Sequence, residues 1–217
     1  MGGDAALDMM TCGEALMAAM LPHVRATTPA ELSPKIAEFG AKLADGQAAV
    51  FVPVQVEAGA KYGECLPNVQ AVVEAKGGVV RTGWCIWEVP TILLQAERHA
   101  VWEVDGELID VTPKPGKEER ICFLPDTSAW DGNRVANTIF PIRNHRMVFE
   151  YCDVLQQLAI AQVNGKHDPD AAMASTHLAF QLNAMVEREK SPAITADQRR
   201  VDRKRRQREL EKWKRRR

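Results

Sequence analysis

The dipeptide Asp105-Gly106 constrains this chain more than any other feature. It lies between two runs of strand-forming residues, 99–104 and 107–112. A two-residue Asp-Gly loop between such runs closes a β-hairpin, because both loop positions need positive φ. That loop sets the register: Val104 faces Glu107, Val101 faces Asp110 and His99 faces Thr112. Side chains alternate along a strand, so His99, Val101 and Glu103 share a face with Asp110. His99 and Asp110 are then diagonal cross-strand neighbours within reach of each other. A carboxylate there can hold the Nδ1–H of His99 and leave Nε2 to face a thiol.

Cys65 is the candidate for that thiol. The stretch Leu66-Pro67-Asn68-Val69 opens a helical pattern with Val69, Val72 and Val73 on one face, and Gly77-Gly78 closes it. Pro67 suits the first turn, where its missing N–H costs nothing. Cys65 therefore stands at or just before a helix N-terminus, where free N–H groups and the helix dipole favour a thiolate. A free cysteine also packs well as a small apolar residue, which is the competing reading of Cys65. Cys65, His99 and Asp110 follow the chain order of nucleophile, base and the residue that orients the base.

The hairpin carries a resemblance. His99-Ala100-Val101-Trp102-Glu103-Val104 followed by Asp110-Val111-Thr112-Pro113 resembles the end of the transglutaminase-like branch of the papain-like superfamily. The resemblance implies a papain-like α+β core with Cys65 as nucleophile, His99 as base and Asp110 as its orienter. A glutamine ahead of the cysteine is common in papain-like enzymes, which makes Gln55 a candidate oxyanion donor. The backbone N–H of Cys65 or Leu66 could serve instead. The interval from Cys65 to His99 is shorter than in transglutaminases, and no Gly-x-Cys-x-x-aromatic pattern surrounds Cys65. The chain also resembles a group of bacterial and phage proteins. They share Gly83-Trp84-x-Ile86-Trp87-Glu88-x-Pro90, Ala96-Glu97-x-His99-Ala100-Val101-Trp102 and Phe123-Leu124-Pro125-Asp126. Some of them carry a further cysteine-rich metal motif, which this sequence lacks.

The remaining sequence frames that unit. Helical spacing is read over 7–21, and over a segment that starts at the capping box Thr28-Pro29-Ala30-Glu31 and places Leu32, Ile36, Phe39 and Leu43 on one face. Strands are expected at 48–54, 79–88, 91–97, 99–104, 107–112 and 120–124, with loops at 55–64 and 125–141. Pro53 marks the first strand as an edge strand or as its end. Helices are expected at 143–163 and 171–188, the latter with Met173, Leu178, Phe180 and Leu182 available to pack. Short strands in succession without intervening helices predict an antiparallel sheet. The fold class is thus α+β, a central antiparallel sheet with N-terminal and C-terminal helices. Residues 1–47 form the N-terminal helices, 48–190 the core domain and 191–217 a basic tail. Trp84, Trp87 and Trp102 are candidates for the wall of a substrate site.

Composition excludes several classes. The five cysteines, at 12, 65, 85, 122 and 152, are odd in number and form no Cys-x-x-Cys pair. That argues against a secreted disulfide framework and a zinc ribbon. Glu88 and Glu97 could form a carboxylate pair beside His99, but the ligand spacing of a helical metal site is absent, so no metal and no added cofactor are expected. The start MGGDAALDMM has no basic leader, and no apolar run reaches the length of a membrane span, so a cytoplasmic protein is the simplest reading.

These residues point to thiol-dependent acyl transfer or to amide or ester hydrolysis, on a peptide or small acyl substrate. The rival readings are a non-catalytic binding protein on the same fold, and a nucleic-acid-associated protein that acts through its tail. Residues 199–217 hold twelve Lys or Arg against three acids, a net of +9. The overall charge is −1, so residues 1–198 carry −10. Such a tail can hold phosphates or an acidic partner. Truncation after Lys190 is expected to leave the thermal midpoint nearly unchanged. If the tail binds nucleic acid, mobility shifts at two salt concentrations will show weak, salt-sensitive binding by the full chain alone. A fall in stability or a change of oligomeric state on truncation would instead show that the tail packs on protein.

Overall fold

In a computed structural model of the chain, the described residues are 19–44, 46–114, 116–128, 130–190 and Lys204. Most of the helix expected over 7–21 and nearly all of the basic tail lie outside them. Six strands make one antiparallel sheet: β1 (Val50–Pro53), β2 (Val79–Val89), β3 (Leu93–Val104), β4 (Glu107–Ile109), β5 (Arg120–Pro125) and β6 (Thr138–Pro141). The order is β1-β5-β2-β3-β4, with β6 also on β3. The described residues also hold four helices: α1 (Pro34–Leu43), α2 (Cys65–Lys76), α3 (Arg146–Val163) and α4 (Pro169–Lys190). The molecule is therefore mixed α and β around an antiparallel sheet. Pro53 ends β1, the edge strand, where a missing N–H breaks no ladder.

The Asp-Gly hairpin forms with the expected loop. Asp105 and Gly106 both have positive φ, 51° and 82°, and Val104 pairs with Glu107. The ladder stops at Ile109, sooner than the sequence suggests. Asp110 instead forms a parallel bridge with Val54, and the chain turns from β3 toward the end of β1. The two strands expected at 91–97 and 99–104 are one strand, β3. Its start falls at Leu93 because Thr91 sits in the turn with φ 64°. Arg98, between the two expected strands, is simply one rung of a β2–β3 ladder that runs from Val79 to Val89.

Other boundaries differ for local reasons. β6 lies in the stretch expected to be loop; its pairing with Leu93–Ala96 supplies order that its own sequence does not announce. α1 starts at Pro34 after Ser33, not at the capping box. Thr28 spends its hydroxyl on the Arg120 carbonyl at 2.8 Å, and Leu32 is exposed. On α4, Leu182 and Leu178 pack as expected, while Met173 and Phe180 are exposed and Ala171, Ala179 and Val186 pack inward in their place.

Both faces of the sheet are covered. Val52, Cys85, Val101, Ile121 and Phe123 pack on one face. On the other, Ile36 and Phe39 of α1 bury against Ile86, Leu94, Cys122 and Leu124. Each such side chain contributes about 1.5–3 kcal/mol on burial. Also on that face, Val69 and Val72 of α2 pack against Ala100 and Val111. α3 and α4 pack with Val89, Ile92 and Leu93 beside the β2–β3 turn. Among the described residues no helix is long and apolar enough to cross a membrane.

The outer edge of β3 is covered in two places. β6 pairs with it at Leu93–Ala96 and β4 at Trp102–Val104. Between them, 97–101 has no strand partner on that side. The start of α2 lies at this gap, whereas its far end meets β3 on the β2 side, where Val79 pairs with Glu103. Gly78, just past its C-terminus, has φ 83°, and a Cβ there would stand 2.5 Å from the Glu103 carbonyl oxygen. Gly165 also has positive φ, 65°, but a Cβ there would meet nothing within 4 Å. Gly78→Ala is therefore expected to destabilise by more than the roughly 1–3 kcal/mol of backbone strain alone. Gly165→Ala should cost about 1 kcal/mol. Urea titration of both variants checks the order.

Candidate functional site

Cys65 is the first residue of α2. Glu64 precedes it without a side-chain cap bond, so the helix start owes its position to packing rather than to a capping side chain. The Val69 and Val72 contacts with Ala100 and Val111 bring that start to the open edge of β3. There the thiol lies close enough to His99 and to the Ala100 N–H, which no strand takes up, for both to lower its pKa.

His99 is 4% exposed, and Asp110 is fully buried. Asp110 Oδ2 lies 3.0 Å from His99 Nε2. The ring is thus turned the opposite way from the sequence expectation: Asp110 holds Nε2, and Nδ1 is left for the thiol. The reason lies in where Asp110 comes from. Its N–H donates to the Pro53 carbonyl at 2.9 Å, and its own carbonyl accepts from Gln55 N–H at 2.8 Å. The residue is pulled out of the hairpin ladder toward β1, and its carboxylate meets the far side of the imidazole. Oδ1 accepts from the Thr112 N–H at 2.9 Å.

Two residues that sequence reasoning passed over complete the cluster. Lys114 Nζ stands 2.6 Å from Asp110 Oδ2 and 3.2 Å from His99 Nε2. A lysine in a proline-rich turn reads as solvated, and only the exit of Asp110 from the ladder turns it inward. Asn68, one turn into α2, donates to Thr112 Oγ1 at 3.2 Å and to the Lys61 carbonyl at 2.8 Å. It also accepts from the Lys61 N–H at 3.0 Å. Asn68 thereby ties the cysteine helix to the segment after Asp110 and to the loop before Cys65. Its place three residues after Cys65 is the sequence signal that could have marked it.

Burial opposes charge on each of the three groups. At Cys65 it is outweighed by the His99 hydrogen bond and charge, the Ala100 N–H and Lys114, and the thiol falls below its ordinary range. At His99 burial and Lys114 oppose protonation, but the hydrogen bonds to Asp110 and Cys65 and the Asp110 charge raise the imidazole to about 9. At Asp110 burial is outweighed by His99 and Lys114, and the carboxyl is lowered. Both shifts run in the direction that favours a thiolate beside an imidazolium. The other described thiols behave differently: burial pushes Cys85 well up, and Cys122 and Cys152 to about 12.

Two cavities meet at the thiol. One, of about 460 Å³, lies on the His99 face and is lined by Trp87, Gln95, Glu97, Lys114 and Glu118. The other, of about 590 Å³, runs past Leu66 toward α3 and is walled by Trp130, Gly132 and Val135. Of the three tryptophans read as substrate wall, Trp87 shares the His99 face and lines the first cavity. Trp84 and Trp102 lie on the opposite face: the Trp84 indole donates to Asp126 at 3.0 Å and that of Trp102 to the Gly77 carbonyl at 2.9 Å. Gln55 is exposed and lines neither cavity. The first two N–H groups of α2, on Cys65 and Leu66, have no helical carbonyl to bond and stand next to Sγ. Glu88 and Glu97 make no pair. The register sets Glu88 opposite Leu94 and Glu97 opposite Cys85, so the two point to opposite faces. No group of three or more His, Cys, Asp or Glu among the described residues could hold a metal ion.

At mildly acidic pH, iodoacetamide is expected to modify Cys65 ahead of Cys85, Cys122 and Cys152, read by peptide mass spectrometry. His99→Ala should slow that reaction. Equal labelling of these thiols, or a Cys65 that reacts only after unfolding, would show an inert structural cysteine. No family model, curated protein or solved structure matches the chain, so its function has to be read from this geometry.

Proposed function

We propose that the chain is a thiol enzyme with a papain-like, transglutaminase-like core that transfers or hydrolyses acyl groups at an amide or ester. The observation that carries this reading is one imidazole whose Nε2 lies 3.0 Å from a buried carboxylate, beside a helix-start thiol whose pKa the same imidazole lowers. Neither burial nor packing requires that arrangement. Its chemistry follows from the charges. The Cys65 thiolate attacks the carbonyl carbon and forms a C–S bond, and the carbonyl π pair moves to oxygen. The N–H groups of Cys65 and Leu66 stand where that oxyanion can be held. The tetrahedral adduct collapses, the bond to the leaving amine or alcohol breaks, and the His99 imidazolium protonates the leaving atom. Neutral His99 then deprotonates a water or an acceptor nucleophile, which attacks the thioester and releases Cys65. Asp110 keeps the ring oriented throughout.

The two cavities give the reaction two sides, one for the acyl group and one for the group that leaves or arrives. Trp87 supplies an apolar wall on the His99 side. Trp130 and Val135 supply one on the other.

The test uses an activated acyl donor, 4-nitrophenyl acetate. A burst of nitrophenol with an acetyl adduct on Cys65 is the expected result. Cys65→Ala should lose both, and His99→Gln should lower the acylation rate by about 10²–10⁴-fold, the usual contribution of a general base. Acetylation scattered over lysines and indifferent to Cys65→Ala would leave a binding protein without chemistry.

A further inference from the structure

Lys114 is the member of the cluster that a thiol, imidazole and carboxylate triad does not need. Its side chain is 5% exposed. In sequence it stands between Pro113 and Pro115, and a residue before proline is held in extended conformation. It is therefore fixed four residues after Asp110, with its ammonium against Asp110 Oδ2 at 2.6 Å and His99 Nε2 at 3.2 Å. A buried ion pair seldom stabilises a fold more than an apolar pair would. A solitary Lys–Asp bridge would thus be a poor reason to bury a lysine here, beside a second cation.

The charges of the whole cluster supply a better one. With Cys65 as thiolate and His99 as imidazolium, Asp110 leaves the buried group at a net −1. Lys114 returns it to zero. We propose that Lys114 is a positioning residue for the Cys65–His99 pair: its ammonium holds the Asp110 carboxylate and neutralises the cluster, so that the thiolate stands charged in a buried site. This inference rests on the thiol reading of the site.

The groups that face Lys114 are accounted for. Cys65 comes from α2 and Tyr62 from the loop before it, Glu97, Arg98 and His99 from β3, Cys85 from β2, and Asp110 and Glu118 from the segments around β4 and β5. Burial keeps the Cys85 thiol protonated. Glu97 and Glu118 line the same cavity, but among the described residues the carboxylate within ion-pair distance of the ammonium is that of Asp110.

The sign of the effect is fixed. A positive charge beside the pair favours the thiolate and disfavours the imidazolium. Removing it makes the thiolate form at higher pH.

The experiment follows the pH profile of iodoacetamide alkylation at Cys65 in the full chain. In Lys114→Met the acidic limb should move to higher pH, so that the rate at its acidic foot falls about tenfold, the equivalent of one pH unit. Lys114→Arg should keep the wild-type limb, because it keeps the charge. Lys114→Gln, which can still donate to Asp110 without charge, should follow the methionine variant. Near-UV circular dichroism establishes that each variant is folded.

A lower rate at every pH with an unmoved limb would make the lysine merely structural and overturn the proposal. So would an arginine variant that behaves like methionine. Failure of both uncharged variants to fold, with the arginine variant sound, would overturn it as well. A wild-type Cys65 no more reactive than the other thiols would instead remove the enzyme reading itself, whatever Lys114 does.

Discussion

Between its pairings with β6 and β4, strand β3 presents a stretch of backbone to no other strand. An open sheet edge is a liability, because its N–H groups still need acceptors. Here the start of a helix covers it, and the Ala100 N–H lies close enough to the Cys65 sulfur to lower its pKa. The rest of the site depends on that junction. It places Cys65 beside His99 although α2 packs on the sheet face opposite the His99 side chain. It also opens a cavity on each side of the thiol, since the edge of a sheet borders both of its faces. Had β4 run two residues further along β3, it would have covered Val101 and Ala100, where the start of α2 now packs.

The hairpin was legible because its turn leaves little choice. Asp105-Gly106 sets the loop, the loop sets the register, and the register sets His99 and Asp110 within reach. The helix of Cys65 was legible from Pro67 at one end and Gly77-Gly78 at the other. What the sequence could not display was the departure of Asp110 from its ladder. That departure depends on Pro53 and Gln55, more than fifty positions away, and it decides which nitrogen of His99 meets the acid and where Lys114 points. The failed readings have the same origin. Trp84 and Trp102 were grouped with Trp87 by residue type, whereas alternation along two strands sends them to the other face. β6 is a strand only because β3 offers it an edge. Gln55 precedes the cysteine as an oxyanion donor would, yet its backbone is committed to Asp110 and its side chain faces solvent.

The Arg98 guanidinium pairs with Asp126 and lies 4.9 Å from the ring centre of Trp84 and 5.4 Å from that of Trp130. The indole of Trp84 donates to the same Asp126. Arg98 and Asp126 are both nearly buried, and removing one partner from such a pair costs about 3–5 kcal/mol. This clamp fixes the start of the segment that carries Trp130 and Gly132 over Leu66. One strand, β3, thus holds the base with one side chain and the wall of the second cavity with the next.

The hold of β1 on Asp110 also sets an order of events. β1 is anchored in the sheet by β5, which lies later in the chain than every member of the Cys65, His99, Asp110 and Lys114 cluster. Until β5 has joined, Val54 has no fixed place, Asp110 has nothing to draw it from the hairpin, and His99 has no settled acid. A nascent or partly unfolded chain therefore carries only ordinary, mostly protonated thiols. The reactive form is a property of the finished sheet, and a chain that fails to complete it stays chemically quiet toward its neighbours.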